Sequence, residues 1–510
     1  MLIPWVFVGV LPLSDRQSRR RMALACVAAL LALLSLTMLE RARSGLELRH
    51  LRIGDTRATL YRLDDATPRP LVVIAHGFAG SRQMMESIAL TLARAGLAVV
   101  SFDFVGQGRS PLGMSPDVTE IEGTTVQLVA QTRAVIAAAE ALPGVEGPAA
   151  LLGHSMATDI LVRTARELPE VDTVALISMY SDVITPEHPA RLLILSGAHE
   201  ARLREIALEA VAQVAPAPEA ETVTAGEVRR RAVAAPYVGH VGVLWSPTTL
   251  RETRDWLTAA AGLPASTAMA FTGPWIALLL AAIVALAWPL AALPPPRPTP
   301  PLPVGRGLFL ALLLAPAIPA ASAALAFAEP LLGLAAFGRL ALFFGIWGGI
   351  QLAVLRHYHR LPLRFDGQAF ALLLAWALGA FALALDRYGA AFLPTGPRLP
   401  LMLVLCAGTI PFMLAKCQLA HGAPLWRRAL LALVPLVALA ATMFAAPGQM
   451  GLLFTVIPVF VLFLMVFGLM ARWFAPRSGP LTLGLALGII LAWSIAASTP
   501  LFTAQSTLLY

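Results

Sequence analysis

Hydrophobic and polar residues follow two contrasting patterns along the 510 residues of the chain. Between about residues 46 and 262, short apolar runs alternate with amphipathic stretches that carry many charged side chains. After Thr272, apolar runs of about 20 residues follow one another with short breaks, and a helix of that length crosses the roughly 30 Å of hydrocarbon in a bilayer. The pattern predicts one soluble domain followed by an all-α polytopic transmembrane bundle.

Nine apolar runs are long enough to span a membrane. The first, at residues 22–39, follows a basic segment but lacks a clear small-residue cleavage site. We interpret it as an uncleaved anchor preceded by a cytoplasmic segment at residues 1–21; a cleaved signal peptide is the alternative. The other eight runs lie within residues 271–498, before a C-terminal tail at residues 499–510. They occupy residues 271–293, 307–328, 332–355, 367–386, 399–417, 429–446, 450–471 and 480–498.

The formal net charge of +8 is concentrated beside these runs. With the N-terminus in the cytoplasm, the basic residues of the later loops and helix ends divide ten to three in favour of the cytoplasmic side. The ten are Arg297, Arg306, Arg356, Arg360, Arg364, Lys416, Arg427, Arg428, Arg472 and Arg477, and the three are Arg339, Arg387 and Arg398. Because basic residues favour cytoplasmic loops, the sequence predicts a multi-pass cell-membrane protein with an extracytoplasmic domain at residues 46–262. The predicted partner is the lipid bilayer and not a nucleic acid, and protein partners are left open.

The domain at residues 46–262 alternates β-branched or apolar runs with helical patterns. This alternation is typical of a mostly parallel sheet with helices on both faces. The predicted strands are Leu46–Ile53, Ala58–Leu63, Leu71–Ala75, Leu97–Phe102, Ala149–Leu152, Thr173–Ser178, Arg191–Leu195 and Val228–Ala234. The predicted helices are Arg82–Ala95, Thr125–Leu142, Met156–Leu168, Ala201–Val214 and Pro247–Ala260.

A candidate nucleophile lies in Gly153-His154-Ser155-Met156-Ala157, between a predicted buried strand and a predicted helix. A serine on such a tight strand-to-helix turn is exposed to a general base, and small neighbours let the backbone pack closely around it. A serine that only caps the helix is the alternative explanation. The strand before and the helix after favour a nucleophile.

A glycine-rich turn, His76-Gly77-Phe78-Ala79-Gly80, follows the strand predicted at Leu71–Ala75. Its glycines would let the loop approach the serine turn. The Phe78 amide could then join the Met156 amide in stabilising a developing oxyanion.

With these two motifs and the turn Asp103-Phe104-Val105-Gly106-Gln107-Gly108-Arg109-Ser110, residues 46–262 resemble the α/β-hydrolase superfamily in a lidless form. The resemblance implies that Asp103 shapes its loop, and that the chain order of the catalytic residues is Ser, acid, His. His240, after the last predicted strand, takes the place of the general base. Glu200 takes the usual place of the acid, and Asp182 is the alternative. The resemblance does not extend to the apolar runs.

The sequence therefore predicts a membrane-bound serine hydrolase of ester or acyl substrates, of the carboxylesterase or lipase kind. A serine peptidase or acyltransferase with the same three residues is an alternative. A non-catalytic hydrolase-like binding module attached to a transport bundle is a third possibility. Neither a metal nor an organic cofactor is required, and the cysteines, Cys26, Cys406 and Cys417, all lie outside the domain.

Overall fold

The computed structural model describes residues 16–118, 121–296, 299–328, 330–358 and 361–503. Most of the predicted N-terminal segment, Arg297, Arg360 and the end of the C-terminal tail lie outside these ranges. The chain divides into two compact units. One contains Leu36–Ala277 together with the short segment Arg387–Ala391, and the other contains the remaining described residues.

The first of these units is built around a nine-stranded sheet of order β1-β2-β4-β3-β5-β6-β7-β9-β8. Its strands are β1 (Leu46–Ile53), β2 (Thr56–Leu63), β3 (Arg69–Ala75), β4 (Ala98–Phe102), β5 (Val145–His154), β6 (Thr173–Ile177), β7 (Arg191–Gly197), β8 (Thr222–Ala225) and β9 (Val228–Ala235). The six central strands, from β4 to β9, are parallel. The edge pairs β1–β2 and β8–β9, and the pair β2–β4, are antiparallel. This sheet confirms the predicted α/β-hydrolase fold.

Helix α1 (Arg16–Arg43) precedes the sheet, and five helices follow between its strands and after the last one. They are α2 (Glu86–Arg94), α3 (Val126–Glu140), α4 (Met156–Glu167), α5 (Ala201–Ala212) and α6 (Pro247–Ala260). The start of α6 shows why the sequence predicts these elements well. Ser246 accepts a hydrogen bond from the Thr248 amide, and Pro247 occupies the first turn, where its missing N–H has no cost.

The sheet core is formed by strands whose residues are apolar on both faces. All five residues of β4 and all five of β6 are buried, as expected for parallel strands covered by helices on both sides. The carboxyl ends of β3, β5, β6 and β7 are neighbours in this sheet. Loops that follow these strands therefore meet at one edge, which is where ligands bind in open α/β sheets.

Eight helices among the described residues are long and apolar enough to cross a membrane. After α1 they are α7 (Gly273–Leu290), α8 (Arg306–Ala326), α9 (Phe337–Tyr358), α10 (Gly367–Tyr388), α11 (Arg398–Ala420), α12 (Leu425–Ala445) and α13 (Leu453–Ser498). The last two predicted runs, from residue 453 onwards, form α13, in which two helices join across a kink at Gly479, with a φ of +72°. The sequence predicts a loop between these two runs, at residues 472–479, but the structure has helix there, interrupted only at Gly479.

Glycines bring α9, α11 and α13 into close contact. A Cβ atom built on Gly484 would lie 2.6 Å from the Cα of Leu414, and one on Gly488 would lie 2.6 Å from the Cα of Ile410. On α9, a Cβ atom on Gly348 would collide with the backbone of Phe412. The G-x-x-x-G spacing of Gly484 and Gly488 thus lies at a helix–helix interface, as small residues do in membrane bundles.

Candidate active site

Ser155 occupies a sharp turn between the end of β5 and the start of α4. Its φ is +53°, a conformation that few non-glycine residues adopt and that marks the strained strand-to-helix turn of α/β-hydrolases. The Ser155 amide donates a hydrogen bond to the Ile177 carbonyl at 2.8 Å, which ties the turn to β6. A Cβ atom on Gly153 would lie 2.7 Å from Cδ1 of Leu161, so the turn requires glycine there.

Three of the predicted site residues form a continuous hydrogen-bonded chain. The Ser155 hydroxyl lies 2.9 Å from Nε2 of His240, and Nδ1 of His240 lies 2.6 Å from Oε1 of Glu200. An ionised carboxylate can only accept hydrogen bonds, so the Nδ1 atom of His240 carries the proton and its Nε2 atom accepts the serine proton. This arrangement can increase the nucleophilicity of the serine oxygen.

Glu200 is held in place by groups other than His240. Its second oxygen, Oε2, accepts hydrogen bonds from the Gly197 amide at 2.6 Å and from the Ser178 hydroxyl at 2.8 Å. Burial acts to raise the pKa of this carboxyl, but the hydrogen bonds from His240, Gly197 and Ser178 outweigh burial and hold the pKa below its ordinary value. The carboxylate is therefore ionised at neutral pH.

Asp182, the alternative acid, lies in a different environment. Its carboxylate pairs with the Arg163 guanidinium at 2.8 Å, and its side chain is 74% exposed. Arg163 also pairs with Asp159 on α4. The contacts of Asp182 thus belong to a surface ion-pair group, whereas those of Glu200 include the His240 ring.

His154 contacts His240 directly. Its Nε2 atom donates a hydrogen bond to the His240 carbonyl at 2.8 Å, and the two ring centroids are 4.9 Å apart. Burial lowers the pKa of His154 to about 4, so the ring is neutral at physiological pH. The hydrogen bond and the ring contact thus support the loop that carries His240.

The predicted oxyanion loop approaches the serine turn at Gly77. A Cβ atom at that position would lie 2.8 Å from Nδ1 of His154 and 3.0 Å from Cβ of Ser155. Only glycine fits at this position. The predicted oxyanion donor, the Phe78 N–H, belongs to the residue directly after this close contact. Met156 begins α4, and the first N–H groups of a helix have no partner within the helix itself.

His76 and Asp103 stabilise the loops around the site. The His76 ring is buried, donates from Nδ1 to the Gly77 carbonyl at 2.8 Å and accepts from the Phe104 amide at 3.1 Å. The Asp103 carboxylate accepts hydrogen bonds from the Arg82 and Arg109 amides and pairs with the Arg82 guanidinium. Both residues thus bind backbone on the side of the site away from Glu200.

A small cavity of about 70 Å³ opens beside the Ser155 hydroxyl. It is much smaller than the roughly 300–1,000 Å³ of a typical ligand pocket. His240 is nevertheless half exposed, at 48% of its side-chain surface, and the neighbouring Val241 is 50% exposed. The cavity is lined by His76, Gly77, Phe78, Gly80, Met84, Met85, His154, Ser155, His240, Val241 and Leu244.

Comparison with known proteins assigns the class of this domain. Residues 66–215 match the model of the family described as serine aminopeptidase, S33. Together with the sheet and the serine turn, this match shows that the domain is an α/β-hydrolase. No curated protein matches the chain.

Several solved structures are similar to this domain. A predicted CIB-like hydrolase from Thermoplasma acidophilum has 16% identity and a TM-score of 0.33, with 42% of this chain and 98% of that chain covered. Dienelactone hydrolase from Anabaena variabilis has 17% identity and a TM-score of 0.33, covering 42% and 97%. Est1E from Butyrivibrio proteoclasticus, solved with ferulic acid bound, has 16% identity and a TM-score of 0.31, covering 42% and 97%.

Sequence reasoning missed three contributors to this site. Ser178, which directly follows β6 and donates a hydrogen bond to Glu200, has a φ of +54°, and nothing in its sequence context indicates a contact with the acid. Met84 and Met85 line the cavity from a short 3₁₀ turn, Arg82–Met85. Their position in the first turn of the helix predicted at Arg82–Ala95, close to the glycine-rich turn that ends at Gly80, is the signal that could have found them.

Proposed function

We propose that the domain is a serine hydrolase of carboxylic esters, with Ser155 as nucleophile, His240 as general base and Glu200 as the acid that orients it. The observation that carries this proposal is the unbroken hydrogen-bonded chain from the serine hydroxyl to the glutamate carboxylate. The positive φ of Ser155, which exposes its oxygen at the carboxyl edge of the sheet, supports the same assignment.

In the proposed reaction, the Ser155 oxygen attacks the acyl carbon while its proton passes to Nε2 of His240. The Phe78 and Met156 amides would donate to the carbonyl oxygen as it becomes negatively charged. His240 then gives the proton to the departing alkoxide, and an acyl-enzyme remains. A water molecule, deprotonated by His240, then attacks the acyl carbon. The bond from that carbon to the Ser155 oxygen breaks, the acid leaves, and His240 returns the proton to Ser155.

The cavity supports a substrate with a short acyl group. Its size suits a chain of few carbons, and its flexible wall is formed by Met84 and Met85. The exposed side of His240 leaves the leaving group unrestricted. The small cavity therefore restricts bulk in the substrate to the alcohol portion.

The family description favours an aminopeptidase as a second candidate. A substrate with a free α-amine needs an anionic partner close to the reacting bond. The described residues that line the cavity include no carboxylate, and both oxygens of Glu200 accept hydrogen bonds from the protein itself. An ester is therefore the better fit.

The test uses the full-length protein with a fluorophosphonate probe, an ester panel of increasing acyl length, and aminoacyl anilides. We expect labelling, and fastest turnover with the shortest acyl esters. Ser155→Ala should abolish both, because loss of the nucleophile costs several orders of magnitude in rate. Ser181→Ala, which removes a nearby hydroxyl bonded to Asp159, is the matched control and should retain activity.

Three results would contradict the proposal in different ways. Labelling of the Ser155→Ala protein would place the nucleophile elsewhere. Faster anilide than ester cleavage would favour the peptidase. A wild-type protein that neither labels nor hydrolyses any substrate would leave a non-catalytic binding module as the better explanation.

We further propose that the chain is a multi-pass membrane protein with its hydrolase domain outside the cytoplasm. The apolar helices and the ten-to-three distribution of basic residues support this orientation. A reporter active only outside the cytoplasm, fused after Gly262, should be active, and a cytoplasmic reporter at the same junction should be silent. The reverse result would contradict the proposed orientation.

A further inference from the structure

The segment Arg387–Ala391 belongs to the same compact unit as the hydrolase domain. Its first two residues are nevertheless the last two of α10, and the rest of that helix belongs to the other unit. Its last residue, Ala391, donates a backbone hydrogen bond to the Ser81 hydroxyl at 3.0 Å. Ser81 is 2% exposed and follows Gly80, the end of the predicted oxyanion loop. The segment thus contacts the loop that carries Phe78, although 310 positions separate the bonded residues.

Arg43 links the same segment to Glu86, five residues after Ser81. The Arg43 guanidinium donates to the Arg387 carbonyl at 3.0 Å and pairs with the Glu86 carboxylate at 2.6 Å. Glu86 is 8% exposed and begins α2. The residues from Ser81 to Glu86 are therefore bound at both ends by groups that contact Arg387–Ala391.

Side chains of the segment add contacts at the end of α1. Arg387 pairs with the Glu40 carboxylate at 2.7 Å, and the Tyr388 hydroxyl donates to the same oxygen at 2.5 Å. The Arg43 guanidinium lies over the Tyr388 ring, 4.9 Å from its centroid. Two carboxylates, Glu40 and Glu86, thus balance two guanidinium groups, Arg43 and Arg387. These contacts join the segment to the end of α1.

The stretch between Ser81 and Glu86 forms one wall of the site. It carries Met84 and Met85, which line the cavity, and it directly follows the loop of Phe78. At the start of the stretch, the Arg82 amide donates a hydrogen bond to Asp103, in a loop of the same sheet. The hydrogen bond from Ala391 to Ser81, in contrast, comes from a segment that is not part of the sheet or its loops.

We propose that Arg387–Ala391 is a positioning segment that holds the oxyanion loop and the methionine wall of the site in their reactive geometry. This inference rests on the function proposed above. Loss of an oxyanion donor costs about 10²–10³-fold in kcat, and small misplacements of reacting groups cost less, up to roughly 10²-fold for 1 Å. Loosening the segment should therefore lower kcat without removing any reacting group.

The test is a double-mutant cycle in the full-length protein. Ser81→Ala removes the acceptor, and Ala391→Pro removes the N–H donor. We expect each change to lower kcat by roughly five- to tenfold with little change in KM, an effect smaller than the loss of a whole oxyanion donor. Because the two changes remove the same hydrogen bond, the double variant should be no slower than the slower single variant.

Two further variants separate positioning from folding. Tyr388→Phe removes the hydrogen bond from the segment to Glu40 and should lower kcat less than Ser81→Ala does. It replaces Ala391→Pro as the change within the segment if the proline variant does not fold. Ser44→Ala removes an exposed local bond to Arg41 and is the matched control. All rates are divided by the number of sites titrated with fluorophosphonate, since a merely structural role would reduce titratable sites and melting temperature but not kcat per site.

The inference is overturned if the wild type is active and Ser81→Ala and Tyr388→Phe keep wild-type kcat per titrated site. Independent, multiplicative effects of Ser81→Ala and Ala391→Pro would also overturn it. An inactive wild type that does not react with the probe would instead refute the proposed function, and this inference with it.

Discussion

Replacing Glu200 by glutamine tests the assignment of the acid most directly. In the native protein Oε2 accepts from the Gly197 amide and Oε1 accepts from Nδ1 of His240. The Gly197 amide can only donate, so the oxygen of a glutamine side chain must face it. The NH₂ group then faces His240 and can only donate, so Nδ1 of the ring must become an acceptor.

This exchange moves the ring proton. A neutral imidazole has one N–H, and with Nδ1 as acceptor that proton sits on Nε2, opposite the Ser155 hydroxyl. His240 is then in the wrong tautomer to take the serine proton. The wrong tautomer lowers kcat by about 10⁴-fold in a serine protease, which corresponds to about 5 kcal/mol in the activation barrier.

The assay compares Glu200→Gln with Asp182→Asn, measuring kcat per titrated site on a short acyl ester. Asp182 is 74% exposed and paired with Arg163, and surface ion pairs contribute only about 0–1 kcal/mol. We therefore expect Asp182→Asn to change kcat by no more than about twofold, since its ion pair carries so little energy. A stronger loss in Asp182→Asn than in Glu200→Gln would refute the reasoning and assign the acid to Asp182.

Two further predictions concern stability, both measured as melting temperatures in detergent. His154 is neutral when folded, with a pKa of about 4 against an ordinary 6.5; the unfolded chain binds the extra proton, so folding is destabilised as the pH falls from 6.5 towards 4, by on the order of 3 kcal/mol. His154→Gln should remove this loss, and parallel pH curves for the two proteins would contradict it. On α9, Gly348→Ala should lower the melting temperature because its Cβ meets the backbone of Phe412, whereas Gly349→Ala, with open space around it, should keep or raise it. The opposite order would contradict the packing described here.

The sequence predicts most elements of the hydrolase sheet because its parallel strands are apolar runs bounded by turns. It misses β8, Thr222–Ala225, where two of four residues are threonine and three of four are exposed. An edge strand of this kind pairs through its backbone with β9, so its side chains carry little signal. The sheet order, in which β4 lies between β2 and β3, is likewise absent from the periodicity.

For the site, motif and chain order identify Ser155 and His240 as neighbours, and the structure brings them together. The choice between Glu200 and Asp182 stays open in the sequence, because both follow a strand at the same edge of the sheet. Their surroundings differ only in three dimensions, where a backbone amide and the Ser178 hydroxyl orient Glu200 towards the ring. The contact of Ala391 with Ser81 has no local signal at all, since no pattern joins residues 310 positions apart.

The kink at Gly479 has a consequence for how many times the chain would cross a bilayer in the topology proposed above. As one straight helix, the 46 residues of α13 would measure about 69 Å, more than twice the roughly 30 Å of hydrocarbon. The break at a φ of +72°, which glycine adopts readily and alanine does not, lets this length be divided into two crossings. An odd total of crossings puts the two ends of the chain on opposite sides, and an even total puts them on the same side. In the membrane topology proposed above, the parity of the crossings therefore depends on one glycine.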